Sequence, residues 1–201
     1  VTATSIHGKK IKSLRGSANH GLIEGILKAT IKPKERQTLL VAAVCRGRVA
    51  PEEFIRFFEE ASDVEKGSCA DALKHISELK PELLKHHFDV MIPYVNYKAP
   101  RVKWGIQETI GNLAKKYPVK AATAIPRLLR NTVEDQENST VIRWCAAYAL
   151  SEIIKHNAEA RKGLLPKIRK IAEEEKNNGV KGVYMRAIRS IERQQTMGVE
   201  D

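Results

Sequence analysis

Four stretches of the chain align without a gap: Lys66-GSCADALKH-Ile76, Lys103-WGIQETIGN-Leu113, Arg143-WCAAYALSE-Ile153 and Lys181-GVYMRAIRS-Ile191. With the opening basic residue as position zero, position three is Cys69, Ile106, Ala146 and Tyr184, and position six is Ala72, Thr109, Ala149 and Ala187. Position seven is Leu73, Ile110, Leu150 and Ile188; position ten is Ile76, Leu113, Ile153 and Ile191. Steps of three and four residues return to one side of a helix, so each stretch predicts an amphipathic helix that buries that side. Successive openings lie 37, 40 and 38 residues apart. A repeat of that length marks stacked helical pairs.

Each of these helices is preceded by another apolar segment with a proline: Ala50-Pro51-Glu52-Glu53-Phe54, Ile92-Pro93-Tyr94-Val95, Ile125-Pro126-Arg127-Leu128 and Leu165-Pro166-Lys167-Ile168. Pro51 reads as a helix start, and the other three as bends in an outer helix, because proline removes a backbone donor. Asn96 to Pro100, Glu134 to Ser139 and Asn177 to Gly179 read as connectors. Upstream, Gly21 to Thr30 and Pro33 to Cys45 form a degenerate pair that caps the stack.

A proline in the first helix, a basic residue opening the second and an Ala-Leu-x-x-Ile tract, best seen within Ile142 to Ile154, resemble the HEAT-repeat family over roughly residues 50–193. The resemblance implies an all-α fold, a right-handed α-α superhelix (α-solenoid) of about five stacked antiparallel helix pairs. It also implies binding of proteins or nucleic acids on a concave face. Residues 1–16 are then a basic arm, flexible in this reading. Residues 17–201 are a single domain, with 17–48 as the capping pair and 50–193 as four repeats.

Composition agrees. Of 201 residues 42% are hydrophobic and only 5% aromatic, a balance that suits helices better than sheets. No apolar run is long enough for a membrane span or a signal peptide, which points to a cytoplasmic protein without membrane attachment. Cys45, Cys69 and Cys145 stand apart among apolar neighbours and read as reduced core residues. His7, His20, His75, His86, His87 and His156 show no metal-ligand spacing. No cofactor fingerprint occurs, so neither cofactor nor metal is expected.

The net charge of +11 is unevenly spread. Ten bases face two acids in residues 1–48, ten acids face five bases in 52–89, and eight bases face Glu108 alone in 90–130. Basic blocks attract phosphates or acidic partners, whereas the acidic block disfavours a polyanion running the whole length.

Positions one, five and eight of the aligned helices point away from the apolar stripe and line the expected binding face. Trp104 and Trp144 are the only tryptophans and share position one; Glu108, Tyr148 and Arg186 share position five. These five residues are the candidate partner contacts, as exposed aromatics beside charges serve peptide binding and base stacking alike. The alternative for each indole is packing against a preceding loop or a neighbouring repeat. Lys66, Lys103, Arg143 and Lys181, with Arg189, form a candidate ladder for phosphates or an acidic partner. Their alternative is pairing with acids of adjacent repeats.

A tryptophan with an acid one turn later, Trp104 and Glu108, and an arginine 39 residues beyond that tryptophan, Arg143, is similar to the constellation of the HEAT-like bacterial alkylpurine DNA glycosylases. That resemblance implies Glu108 as the group stabilising positive charge on the sugar and Trp104 as a contact to the damaged base. Glutamate replaces the usual aspartate here, and Gly182 stands where a further aromatic is expected. The favoured expectation is a non-enzymatic, monomeric scaffold for a protein or peptide. The alternative is a nucleic-acid-binding protein, up to a DNA alkylation repair glycosylase.

Overall fold

A computed structural model of the chain describes residues 20–132 and 139–197, and the basic arm at 1–16 lies outside them. Every regular element among the described residues is a helix, with no strand. In chain order they form α1 (residues 20–28), α2 (Pro33–Cys45), α3 (Pro51–Glu60) and α4 (Asp63–Leu79). A 3-10 turn (Pro81–Leu84), α5 (Phe88–Met91) and a second 3-10 turn (Ile92–Asn96) lead to α6 (Pro100–Ala114). Then come α7 (Pro118–Ala122), α8 (Ile125–Leu129), α9 (Thr140–His156), α10 (Ala158–Glu174) and α11 (Asn178–Met197).

Local chemistry sets these boundaries. Proline occupies the first helical turn of α2, α3, α6 and α7, where its missing N–H is no loss. Ser62 opens α4 with a capping box: its backbone N–H donates to Glu65 Oε2 at 3.0 Å while its hydroxyl accepts from the Glu65 N–H. Asn157 accepts from the Ala160 N–H at 2.9 Å to start α10. Gly47 holds φ +72°, the left-handed turn that releases the chain from α2 toward α3.

Helix ends are closed from the next helix. Arg36 Nη2 donates to Ala29 O at 3.1 Å, Lys66 Nζ to Glu59 O at 2.9 Å and also to Ala61 O, and Arg161 Nε to Ile154 O at 2.6 Å. The Ala29, Glu59 and Ile154 carbonyls each lie seven residues before the cation. The positive group meets the negative end of the helix it closes.

Packing is sequential: α2 lies on α4, α4 on α6, α6 on α9 and α9 on α11, while α3, the Ile92–Asn96 turn, α8 and α10 cover the other side. The aligned core positions form the continuous interior, with Leu73, Ile76, Ile106, Ile110, Leu113, Leu150, Ile153, Tyr184 and Ile191 all fully buried. Very close approach between α4 and α6 requires Gly105, whose missing Cβ would sit 2.9 Å from the Ala70 Cβ and 3.0 Å from its carbonyl carbon.

The proline segments behave differently from one another. At Pro93 the chain runs from α5 into a 3-10 turn, and at Pro126 a break separates α7 from α8, so neither is one bent helix. Pro166 sits inside the continuous α10. The carbonyl that loses its donor there belongs to Lys162, an exposed residue, where water can replace the bond. The connector expected at Asn177 to Gly179 lies two residues earlier, at 175–177, because Asn177 Oδ1 accepts from the Gly179 and Val180 N–H groups and α11 begins at Asn178. No described helix is long and apolar enough to cross a membrane.

Candidate binding face on α4, α6, α9 and α11

The stripe opposite the buried one carries Asp71, Lys74 and Glu78 on α4, then Trp104, Glu108, Asn112 and Lys115 on α6. On α9 it carries Trp144, Tyr148, Glu152 and Lys155, and on α11 Arg186, Arg189 and Arg193. Neighbouring helices meet with a constant stagger, position five of one against position eight of the helix before. Glu108 Oε2 takes Lys74 Nζ at 2.7 Å, and Tyr148 lies on Gly111.

At the centre, Glu108 is held from two sides. Lys74 is its ion-pair partner, and the Cys145 Sγ–H donates to Glu108 Oε1 at 3.5 Å. Burial pulls the Lys74 ammonium down, but the Glu108 hydrogen bond and charge outweigh it and the net shift is upward. Burial, reinforced by the Glu108 charge, pushes the Cys145 thiol up, so it stays protonated and inert.

Beside this pair stands an aromatic platform. Trp144, 38% exposed, lies nearly parallel to Tyr148, with centroids 5.8 Å apart and planes 7° from parallel. Tyr148 can lie flat because residue 111 is glycine: a Cβ there would come within 2.7 Å of the phenol ring. The Tyr148 hydroxyl donates to Asn112 Oδ1 at 2.6 Å, and Asn112 Nδ2 donates to Lys74 O at 3.1 Å and Ser77 Oγ at 2.9 Å. Burial, with the Glu152, Glu78 and Glu108 charges adding, pushes the Tyr148 phenol up to about 12. Next to the platform, Ser77, Gly111, Lys115, Tyr148 and Glu152 line an open cavity of about 510 Å³.

The sequence-derived ladder separates into distinct environments. Lys66 is 6% exposed and is spent on the α3 carboxyl end. Arg143 forms a two-toothed pair with Glu175, Nε to Oε2 at 2.9 Å and Nη2 to Oε1 at 3.2 Å, and Glu175 is only 3% exposed. Lys103 and Lys181 are half-buried in the first turns of α6 and α11. Arg186 and Arg189 are exposed on α11, whereas Trp104 is half-buried on α6. Thus Trp144, Tyr148, Glu108 and the arginines of α11 belong to one face, while Lys66 and Arg143 close the framework behind it.

Positions five and eight put Asp71 and Lys74 on this face, but sequence reasoning missed Asn112 and the pairing of Lys74 with Glu108 and of Asp71 with Arg101, whose Nε donates to Asp71 Oδ2 at 3.0 Å. Position nine, where Asn112 sits, is Glu152 on α9 and His75 on α4, so the column carries no constant chemistry. Among the described residues no group of His, Cys, Asp and Glu could hold a metal ion. No family model matches the chain, and no curated protein matches it.

Proposed function

We propose that the chain is a non-enzymatic, HEAT-like α-solenoid, a right-handed superhelix of about five helix pairs, that holds a protein or peptide partner against the face of α4, α6, α9 and α11. Support for the repeat comes from side-chain bonds between consecutive units. Tyr97 bonds Asp63 across 34 residues, Asn112 bonds Ser77 across 35, Tyr148 bonds Asn112 across 36, and Asn157 bonds the Pro118 carbonyl across 39. These intervals track the spacing of the aligned stretches, as stacking of like units requires.

The observation that carries the binding reading is the Trp144 to Tyr148 platform. An indole left 38% exposed, yet fixed by stacking on a tyrosine that is itself seated on Gly111 and bonded to Asn112, is a rigid anchor that loses little entropy when a partner covers it. The carboxylates around it are already matched by Lys74, Arg101, His75 and Lys155. Glu108 in particular would have to surrender Lys74 before it could face a developing sugar cation, which favours binding over glycosidic chemistry. A phosphate backbone crossing α4, α6 and α9 would meet Glu78, Glu108 and Glu152, which favours a polypeptide over a nucleic acid.

The test is selection of a random displayed peptide library on the immobilised protein, alongside titration of a labelled mixed-sequence DNA duplex at low and physiological salt. Peptides enriched on the wild-type protein and no longer held by Trp144→Ala support the reading. Tight, salt-sensitive duplex binding without peptide enrichment contradicts it and turns attention to excision of alkylated bases.

A further inference from the structure

Unmatched charge on this face gathers on α11, with Lys115 of α6 the one other exposed cation of the face that forms no ion pair among the described residues. Asp71 is ion-paired with Arg101, Glu108 with Lys74 and Glu152 with Lys155, and Glu78 lies in hydrogen-bond contact with His75, so each carboxylate of α4, α6 and α9 on this face has a partner. On α11 the reverse holds. Arg186, Arg189 and Arg193 are exposed and form no ion pair or hydrogen bond among the described residues. The acid of the same helix, Glu192, is turned toward α10, where Arg169 holds it at 2.7 Å.

The three arginines follow one another by three and four residues, opposite the buried Val183, Tyr184, Ala187, Ile188 and Ile191. They make a single stripe about 10 Å long at 1.5 Å per residue. The Arg186 guanidinium folds back over Gly182, with Nη1 3.4 Å from where a Cβ of that residue would be. The stagger seen at both earlier junctions, position five against position eight, carried on to α9 and α11 sets Arg186 against Ser151, one turn along α9 from Tyr148. The aromatic anchor on α9 and the row of unmatched cations on α11 thus stand on neighbouring helices of one face.

Resting on the binding reading above, we infer that the partner is an acidic polypeptide segment, with carboxylates on Arg186, Arg189 and Arg193 and an adjoining aromatic or aliphatic side chain on Trp144 and Tyr148. Guanidinium forks match carboxylates two-toothed, and three along one stripe accept the side chains of a short acidic run. In an extended segment, alternate side chains recur every 6–7 Å or so, which suits a stripe of this length. A nucleic-acid strand would also meet the arginines, but its evenly charged backbone would continue past Glu152 and Glu108. A peptide can change from acidic to apolar at that point.

The experiment is the same displayed library, selected in parallel on the wild-type protein and on Arg186→Glu/Arg189→Glu/Arg193→Glu, whose fold is checked by circular dichroism and should be retained because all three side chains are exposed. The inference expects wild-type binders with clustered Asp or Glu beside an aromatic residue, weakened about tenfold or more by the triple reversal and by raised salt. A labelled oligothymidylate should bind more weakly than these peptides. Neutral or basic binders that still depend on Trp144 but ignore the arginines overturn the acidic partner while leaving the binding face intact. Oligothymidylate binding more tightly than any peptide, or no peptide enriched at all, overturns both.

Discussion

Replacing Arg143 by Met tests whether this residue belongs to the framework or to the binding face. The change leaves the Glu175 carboxylate, whose side chain is 1% exposed, without its cation. In the native protein burial pushes Glu175 up, but the Arg143 bonds and charge and the Asn177 and Lys176 N–H groups more than offset this and hold it below the usual carboxylate range. Breaking a buried pair from one side costs about 3–5 kcal/mol, and at about 2–4 °C per kcal/mol for a chain of this size the melting temperature should fall by roughly 6–20 °C. Arg143→Met/Glu175→Gln removes the stranded charge yet keeps an acceptor for the Asn177 N–H, which bonds Glu175 Oε1 at 2.8 Å; it should recover more than half of the loss. The pH dependence has a definite sign. In the wild type the lowered carboxyl contributes stability above its unfolded pKa of about 4.3 and loses it as the pH falls through the folded value. In Arg143→Met the buried, unpaired carboxyl is raised instead, so its penalty is full near neutrality and shrinks as the pH falls toward about 4. Urea or thermal unfolding followed by circular dichroism at several pH values reads all three effects. A loss below about 1 kcal/mol, independent of pH, would show a weak surface pair and return Arg143 to the partner contacts.

Lys66→Met should destabilise by about 1.5–3 kcal/mol, because a charged donor to the Glu59 and Ala61 carbonyls disappears from a nearly closed site; unfolding in urea checks it. Gly105→Val should lose about 1–3 kcal/mol, since the new carbons meet Ala70 and its backbone. Gly163→Ala, on an open stretch of α10 with nothing within 4 Å, should gain about 0.5–1 kcal/mol. Thermal melts of the pair should therefore move in opposite directions. Titration with Ellman's reagent should modify Cys45, which is partly exposed, well before Cys69 and Cys145; burial pushes the Cys69 thiol up to about 12 and Cys145 up as well, and both should react only on unfolding.

The helices of the binding face were legible in the sequence because their core positions repeat. The residues at offsets three, six, seven and ten in α4, α6 and α9 are all fully buried, and a helix with one apolar side has only one way to turn. Polar partners were less legible, because one alignment column serves different ends. At position zero, Lys66 closes a helix terminus while Arg143 reaches a glutamate 32 residues ahead. At position one, Trp144 is exposed and Trp104 half-buried. Gly111 looks like any helical glycine until α9 brings Tyr148 onto it. The proline pattern located the outer segments, but whether a segment divides, as at Pro93 and Pro126, or continues, as at Pro166, depends on what covers the freed carbonyl.

Trp144→Ala, with folding and peptide binding read on the same sample, tests the central claim most directly. With the indole 38% exposed, truncation should leave helix content intact and change stability by no more than about 1 kcal/mol, while affinity for the selected peptides falls at least about tenfold. A cooperative loss of folding would place the indole in the core, and unchanged affinity would place the partner elsewhere; either result contradicts a scaffold that grips its partner at this platform.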